Sequence, residues 1–586
     1  MAESRPDHLT LRHRALAVGF ALAMLGLTWR LVSIQIIDHQ EYAEIATAMH
    51  LGPGTASIAA PRGAILDATG FPLATSVDTW DVYIDTYLWK ETTKAQQAAG
   101  ELAPSLGMNQ RAVFALGTAQ QQGDLIVRRQ LPYDLGVQLR QRDLWGVRLL
   151  PSSRRIYPER DLGGPVIGYV GLDGKGLWGA EADFESILSG KPGLLASERD
   201  GLGRPISFGG RTETAPIPGG EVQLTIDRFI QGIAERRLTE AVEQYHATSG
   251  SILVMDPNTG AVLAMASAPS VGPATVNLND PKLADRVRDR VITDLYEPGS
   301  VFKTLTTAIA IDSGKVTPES TYVDTGRVVV GTYPITNWDF SANGRTTVRQ
   351  YLQKSLNTGS VWLAQSVGAK DFYRYLNAFG LREQTHIGLA GEAEGLMRLP
   401  SDPNWYPVDL ATNSYGQGLA VTPLQMLTAV NVFANGGRLM RPYVVSRIVT
   451  GEQVRTFQPV EVRRPVSAQT ANTVGALMHD VVDNVELHGA QTKGYEVAGK
   501  TGTTLVSIPT GYDLDSTIAS FAGFIPYQHP RVSVLVKIDQ PTGGLNLGGQ
   551  VAAPVFAKVA ADVMHYYGIA PAIPVTPVGA AQAAAR

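Results

Sequence analysis

The 586-residue chain contains no cysteine, which excludes disulfide bonds, thiolate nucleophiles and zinc–thiolate sites. Its ten histidines are scattered, and no His-Glu-x-x-His arrangement occurs, so the sequence predicts no metal and no cofactor. The net charge is −4, from 50 Lys and Arg against 54 Asp and Glu. This balance provides no broad basic field and argues against a nucleic-acid partner.

One apolar stretch near the N-terminus predicts the location of the protein. Residues 15–37 are largely apolar, with Arg30 as the one charged residue, and reach the roughly 20 residues that a membrane-spanning helix needs. Three arginines precede the stretch: Arg5, Arg12 and Arg14. The positive-inside rule therefore predicts a cytoplasmic tail over residues 1–14, a single-pass helix, and an extracytoplasmic remainder. A cleaved signal peptide is the alternative, but its candidate site, Ala21-Leu22-Ala23, lies inside the apolar run rather than after it.

Three short motifs supply the reactive groups of the chain. They are Ser300-Val301-Phe302-Lys303, Ser355-Leu356-Asn357 and Lys500-Thr501-Gly502-Thr503. Together they provide a hydroxyl, a nearby amine, a second hydroxyl with an amide, and a cationic strand. These are the functional groups of a serine acyl-transfer site. Each motif alone is weak, because a Ser-x-x-Lys pair on a helix is usually an ordinary solvated pair.

The first motif is predicted to open a helix. Glu297-Pro298-Gly299 forms a turn, and Val301 to Asp312 is apolar at helical spacing and ends at Gly314. Lys303 then lies one turn beyond Ser300 and can approach its hydroxyl. The free backbone N–H groups at a helix start suit an oxyanion beside Ser300. A lysine held away from water loses part of its preference for the charged form, so Lys303 is the candidate base.

The third motif allows a competing interpretation as a nucleotide site. Gly494 to Thr501 fits the phosphate-binding pattern G-x-x-x-x-G-K-[ST]. Such a loop follows a buried strand and opens a helix, whereas His488 to Lys493 is polar and Pro509 follows soon after. Thr501 to Val506 instead has the β-branched content of a strand. We therefore predict that Lys500 lies on a strand and not in a nucleotide site.

With these motifs, the chain resembles the class B penicillin-binding proteins, which are membrane-anchored peptidoglycan D,D-transpeptidases. Further segments are similar to family signatures: Arg62 to Asp67, Gly176 to Gly193 with Glu181, Asp256 to Ala266, Tyr296 to Ser300, Gly416 to Gly418, Thr422 to Gln425, and Ala434 to Gly437. Two more, Ala519 to Phe524 and Gly548 to Phe556, look like those of division-type rather than elongation-type members. The resemblance extends from about the membrane segment to Tyr567.

The resemblance implies a role for each motif residue. The catalytic residues would be Ser300, Lys303, Ser355, Asn357 and Lys500, and the substrate-binding residues Thr501, Gly502 and Thr503. Ser300 would attack the carbonyl between the two terminal D-alanines of a stem peptide. Ser355 would relay a proton to the leaving amine, and Asn357 would hold a substrate amide. Lys500 would meet the terminal carboxylate, with the N–H groups of Ser300 and Thr503 forming the oxyanion hole.

The implied partners are lipid II-derived peptidoglycan strands, β-lactams, a SEDS-type polytopic glycan polymerase, other divisome or cell-wall proteins, and the cytoplasmic membrane. The implied role is septal cross-linking. A D,D-carboxypeptidase and a non-turnover β-lactam sensor or assembly scaffold remain as alternatives. A serine β-lactamase of the large class that uses Glu-x-x-Leu-Asn is disfavoured, because no glutamate after Ser300 is followed by that pattern.

The sequence also predicts an α+β organisation. Pro216 to Gly220 divides a mixed pedestal (dimerisation) domain, residues 38–215, from a transpeptidase domain, residues 220–569. In the latter, strands at 251–266 and 518–538 would form an antiparallel sheet flanked by helices, with Lys500 to Thr503 at one edge. A helix is expected at Pro554 to Tyr567, and the Pro/Ala-rich tail, residues 570–586, is predicted to be disordered.

Overall fold

The computed structural model of the protein describes residues 8–33, 55–119, 123–197, 211–484, 489–509 and 511–572. The first helix, His8–Val32, overlaps most of the predicted membrane segment, whose residues 34–37 lie outside the described ranges. Within those ranges, no helix is both long enough and apolar enough to cross a membrane. The tail predicted to be disordered is residues 570–586. Its residues from 573 onward lie outside the described ranges.

The described residues form two compact units that alternate along the chain. The first unit takes its residues from 1–61, 78–153 and 191–217, and the second from 62–77, 154–190 and 218–586. The sequence predicts consecutive domains, whereas segments 62–77 and 154–190 pack with the C-terminal part. One reason is that strand Ile65–Leu66 pairs in parallel with strand Glu221–Leu224, which follows the predicted boundary.

The first unit is built around a small core that includes the fully buried Trp89. Its helices after residue 55 are Leu88–Lys90 (3-10), Thr92–Leu106, Gln110–Ala119 and Tyr133–Gln141. Its strands are Thr55–Ile58, Gly193–Ser197 and Arg211–Thr214, which form one sheet, together with Asp124–Pro132 and parts of Pro72–Asp85 and Val147–Ile156. Residues Trp80 to Asp85 form the end of the strand Pro72–Asp85.

The second unit contains a five-stranded antiparallel sheet. In spatial order its strands are Val262–Ala268, Ser249–Met255, Val532–Asp539, Gly511–Ile525 and Ala498–Ile508. The predicted strand pairs at 251–266 and 518–538 are confirmed. The strand Ala498–Ile508, called the Lys500 strand below, forms one edge of the sheet, as predicted.

Helices cover both faces of this sheet. Along Val532–Asp539, alternate side chains point to opposite faces. Val534 and Val536 enter the core shared with helices Arg228–Gln244 and Ala552–Tyr566, whereas Leu535 enters the larger core on the other face. The main helices of that larger core are Lys303–Asp312, Val348–Lys354, Asn357–Val367, Ala369–Ala378, Pro407–Asn413, Pro423–Ala434 and Ala468–Asp483. The predicted C-terminal helix is therefore confirmed.

Short elements complete the second unit. The helices are Gly164–Ile167, Gly179–Asp183, Glu185–Leu188, Leu283–Arg286, Arg290–Thr293 and Gly299–Phe302 (3-10). The strands are Ile65–Leu66, Glu221–Leu224, Thr321–Asp324, Arg327–Val330, Tyr333–Thr336, Gly344–Thr347, Leu396–Met397, Leu419–Ala420, Leu439–Met440, Val445–Thr450, Gln453–Thr456 and Glu461–Arg463.

A buried carboxylate holds the two early segments of the second unit together. Glu181 Oε2 lies 2.6 Å from Arg62 Nε, and its Oε1 lies 2.7 Å from Arg155 Nε. The Tyr157 hydroxyl also donates to Oε1, at 3.3 Å. Burial and the adjacent Glu181 charge raise the pKa of Tyr157. Two segments that carry the family resemblance, around Arg62 and Glu181, therefore meet at one ion cluster.

Replacing Glu181 with glutamine is expected to lower the free energy of unfolding by about 3 to 5 kcal/mol, because it leaves Arg155 without its buried counter-charge and leaves Arg62 with only the partly exposed Glu185. Glu185→Gln is the matched control: Glu185 pairs with the same Arg62, but its side chain is 35% exposed. Exposed pairs contribute about 0 to 1 kcal/mol. Urea denaturation followed by circular dichroism measures both variants, and equal midpoints would contradict the importance of the buried cluster.

Candidate active site

The first motif forms the turn that presents Ser300. Gly299–Phe302 is a 3-10 turn that continues into the helix Lys303–Asp312, so the predicted helix is confirmed with a tighter start. Gly299 has φ +55°, and its N–H donates to Gly416 O at 3.0 Å. A Cβ at Gly299 would lie 2.9 Å from Thr503 O. Only glycine fits this backbone conformation and this close approach without strain.

The third motif packs directly against the turn that carries Ser300. Lys500 to Thr503 lie on the edge strand, as predicted, and Gly502 pairs with Ser520 of the next strand. A Cβ at Gly502 would lie 2.6 Å from Pro298 O and 2.4 Å from Ser520 Oγ. The missing side chain therefore lets the Lys500 strand approach the turn that carries Ser300.

The second motif closes the site around the Lys303 amine. Lys303 is fully buried, and its Nζ donates to Ser355 O at 2.5 Å and to Asn357 Oδ1 at 2.8 Å. The Ser355 hydroxyl lies 3.3 Å from the same nitrogen. Burial, and then the positive charge of Lys500, hold the pKa of Lys303 well below its ordinary value. The structure therefore links the first and second motifs through one amine.

The direct approach of Lys303 to Ser300 predicted above is not realised as a hydrogen bond. Across the described ranges, the Ser300 hydroxyl has no hydrogen-bond partner. The Lys303 amine turns toward Ser355 and Asn357 instead, because these supply carbonyl and amide oxygens at close range. Hydrogen bonds of catalytic groups often tighten only when substrate binds.

Ser355 has an unusual backbone conformation. It lies between helices Val348–Lys354 and Asn357–Val367 with φ +57° and ψ +43°, the left-handed region. This conformation costs a residue with a Cβ about 1 to 2 kcal/mol. In return, both the carbonyl and the hydroxyl of Ser355 lie within hydrogen-bond distance of Lys303 Nζ. Strain held by the surrounding fold at such a point is typical of functional sites.

Asn357 connects the Lys303 amine to the hairpin formed by strands Arg327–Val330 and Tyr333–Thr336. Its Oδ1 accepts from Lys303, and its Nδ2 donates to Thr336 O at 2.9 Å. An amide nitrogen carries two N–H groups. One of them therefore remains for the substrate contact that the family resemblance implies.

The cationic strand carries a second lysine with a perturbed pKa. Lys500 is buried, and burial lowers its pKa to about 7. Its Nζ lies 3.3 Å from both the carbonyl oxygen and the hydroxyl of Thr501. The Thr503 hydroxyl accepts a 2.9 Å hydrogen bond from Gly548 N, which fixes its oxygen at the edge of the site.

Glu297 is a site residue that the sequence interpretation missed. The sequence places it in a turn and in the Tyr296 to Ser300 segment but predicts no role for its carboxylate, which accepts from Gly418 N at 3.0 Å and from the Tyr512 hydroxyl at 2.9 Å. Thr504 Oγ1 lies 3.4 Å away. Burial raises the pKa of Glu297. Its place in the Tyr296 to Ser300 segment, three residues before Ser300, is the sequence signal for it, because its partners are distant in the chain.

Two domain families match the chain. The penicillin binding protein transpeptidase domain matches residues 250–561, more than half of the chain and all three motifs. The chain belongs to this family. The penicillin-binding protein dimerisation domain matches residues 57–224 of the same penicillin-binding protein.

Relatives of this penicillin-binding protein match over most of its length. It is 31% identical over 516 residues to stage V sporulation protein D of Bacillus subtilis strain 168, covering 87% of this chain and 79% of the relative. It is 30% identical over 583 residues to the peptidoglycan D,D-transpeptidase FtsI of Escherichia coli K12, covering 97% and 94%. A solved peptidoglycan synthetase from Bifidobacterium adolescentis matches with a TM-score of 0.73 and 25% identity, covering 89% and 98%.

These matches confirm the predicted family and the predicted α+β fold class. A dimerisation domain precedes a penicillin-binding transpeptidase domain whose antiparallel sheet is flanked by helices. The structure brings Lys303, Ser355 and Asn357 into contact and places Lys500 on the adjoining edge strand. The chemical roles of the motif residues stay predictions.

Proposed function

We propose that the protein is a peptidoglycan D,D-transpeptidase that cross-links stem peptides through an acyl-enzyme on Ser300 and is inhibited covalently by β-lactams. The observation that carries this proposal is the buried Lys303 amine, held between Ser355 and Asn357 one helical turn from Ser300. The name of the Escherichia coli relative, a peptidoglycan D,D-transpeptidase, supports the same reaction.

Lys303 is suited to act as the base because its neutral form fits its surroundings. A neutral amine has two N–H donors and one lone pair. The two donors satisfy Ser355 O and Asn357 Oδ1, which leaves the lone pair to take the Ser300 proton. Burial and the nearby Lys500 charge both favour this neutral form. The Ser300 oxygen then attacks the carbonyl carbon of the penultimate D-alanine.

The other motif residues complete the cycle. Lys500 with Thr501 binds the terminal carboxylate of the peptide, a charge-assisted contact that orients the scissile bond. The N–H groups of Ser300 and Thr503 stabilise the oxyanion, each such donor being worth about 10²- to 10³-fold in rate. Ser355 passes the proton from Lys303 to the departing D-alanine amine. An amine from a neighbouring strand then attacks the acyl-enzyme, forms the cross-linking amide, and returns a proton to Ser300.

A reconstituted assay with two stem peptides, one carrying the D-Ala-D-Ala terminus and one carrying a free acceptor amine, tests the reaction. We expect a covalent peptide dimer and one released D-alanine per cross-link. Release of D-alanine without any dimer would identify a D,D-carboxypeptidase instead. Covalent penicillin labelling with neither product would identify a sensor or scaffold.

The pH dependence of acylation is expected to reflect Lys500. Carboxylate binding needs Lys500 charged, and the free-enzyme pKa of Lys500 is lowered to about 7 by burial. The charge is therefore present below this pH and lost above it, so kcat/KM for a carboxylate-bearing acyl donor should fall as pH rises through about 7. Initial rates of acylation between pH 5.5 and 9 measure this.

Lys500→Arg provides the matched variant, because arginine keeps its charge throughout this pH range. Its activity can be lower at every pH, but the decline on the alkaline side should disappear. An alkaline decline that stays in place in Lys500→Arg would assign it to another group.

We also propose that residues 15–37 anchor the protein in the cytoplasmic membrane with the catalytic domain outside, and that it acts at the septum beside a polytopic glycan polymerase. The basic residues before the apolar stretch support the anchor, and the two division-type segments support the septal role. A fluorescent fusion should gather at the division site, and the same fusion lacking residues 1–37 should not. Rounded cells that still divide after depletion would reject the septal role.

A further inference from the structure

Two large aromatic side chains are exposed beside the catalytic residues. Trp338 is 62% exposed and Phe340 is 80% exposed, both in the loop that follows strand Tyr333–Thr336. Residues 337–343 are called the aromatic loop below, and two hydrogen bonds join this loop and the strand before it to the second motif. Trp338 Nε1 donates to Lys354 O at 3.2 Å, next to Ser355, and the strand before the loop offers Thr336 O to Asn357.

The aromatic loop is held rigidly by a buried carboxylate. Asp324 accepts from Asn337 Nδ2 at 3.0 and 3.1 Å, and from both the N–H and the side-chain amide of Asn343, at 3.0 and 2.8 Å. Thr358, the residue after Asn357, donates to the same carboxylate at 2.7 Å. Both ends of the loop are therefore tied to the helix that begins at Asn357, so the backbone that carries the two rings is held beside that helix.

The backbone of Phe340 is strained in a way that favours a functional role. Its φ is +59°, in the left-handed region, which costs a residue with a Cβ about 1 to 2 kcal/mol. This conformation does not bury the Phe340 ring, which is among the most exposed large apolar side chains of the described chain. Exposed apolar groups next to a site commonly mark a binding surface.

We propose that Trp338 and Phe340 form a stacking platform for a sugar ring of the peptidoglycan strand that carries the stem peptide. This inference rests on the proposed function. The face of a pyranose ring presents C–H groups, and the negative face of an aromatic ring attracts them. Polar groups at the same loop, Lys354 Nζ and Asn343 Oδ1, bonded to each other at 2.8 Å, provide hydrogen-bonding partners for sugar hydroxyls.

The chemistry of the substrate favours the sugar over the peptide as the occupant. The D-alanine end of the stem has only small methyl side chains, and its scissile carbonyl and terminal carboxylate are assigned to Ser300 and Lys500. The glycan is the part of the substrate that offers rings with an apolar C–H face. The platform would therefore distinguish a glycan-linked stem from the same peptide in free form.

The test compares D-alanine release from a free pentapeptide and from the same pentapeptide on its disaccharide. We expect wild type to prefer the disaccharide substrate in kcat/KM, and Trp338→Ala and Phe340→Ala each to reduce that preference by about 2- to 12-fold, the factor that corresponds to typical aromatic stacking energies. The kcat/KM of Phe340→Ala for the free pentapeptide should not change. Tyr333→Ala is the matched control, because Tyr333 is 60% exposed but lies at the far end of the strand.

Three outcomes would overturn the platform: an equal loss on both substrates, an unchanged preference in both variants, or the same reduction in Tyr333→Ala. If wild type released no D-alanine at all, the proposed function would fail separately. The platform would then be decided by saturation-transfer NMR with the peptide-free disaccharide. A signal in wild type that disappears in the double variant would support it, and equal signals would reject it.

Discussion

Ser300→Ala is expected to abolish covalent labelling by a fluorescent penicillin and to stop peptide cross-linking. Removing the nucleophile of a serine acyl-transfer site costs about 10⁶-fold in rate. The same change should leave the melting temperature almost unaltered, because the Ser300 hydroxyl has no hydrogen-bond partner among the residues that the structure describes. Loss of activity with intact stability separates a chemical role from a structural one.

Ser270→Ala is the matched control for this measurement. Ser270 is an exposed serine of the same domain, and its alanine variant should label like wild type. Labelled protein separated by gel electrophoresis, with thermal unfolding recorded in parallel, gives both quantities. Label that persists in Ser300→Ala would place the nucleophile elsewhere.

The elements around the site could be predicted because their signals are local. Thr501 to Val506 is rich in β-branched residues and contains no helix start, so the sequence favours a strand over a phosphate loop. The structure confirms this strand at a sheet edge. Pro298 and Gly299 before an apolar periodic run indicated the helix start at Ser300. Hydrophobic periodicity and turn preferences depend on neighbouring residues alone, so the sequence is sufficient to predict elements that rest on them.

Contacts between distant segments could not be predicted in the same way. The spacing of Ser300 and Lys303 places the lysine on the correct helix face, but the direction of its amine depends on Ser355 and Asn357, more than fifty residues away. The left-handed backbone of Ser355 carries no sequence signal, since glycine is the usual residue there. Likewise, the pairing of Glu181 with Arg62 and Arg155 joins two segments of the second unit that are separated along the chain by part of the first unit.

Replacing Lys303 with methionine is expected to lower the second-order rate of penicillin acylation by about 10²- to 10⁴-fold, the usual contribution of a general base. Methionine keeps an unbranched side chain in the buried site but removes the lone pair that takes the Ser300 proton. It also removes the donors to Ser355 O and Asn357 Oδ1, so the melting temperature must be recorded beside the rate.

Lys303→Arg separates proton transfer from charge. An arginine can donate to the same oxygens and carries a positive charge that could favour the oxyanion, but it does not lose a proton in proteins. If Lys303 acts as the base, as the lowering of its pKa by burial and by Lys500 favours, arginine should be as inactive as methionine. If Lys303 acts only through charge or as a brace for the second motif, arginine should restore much of the acylation rate. Acylation by Lys303→Arg at more than about a tenth of the wild-type rate would therefore exclude the base mechanism, given that a base contributes at least about 100-fold.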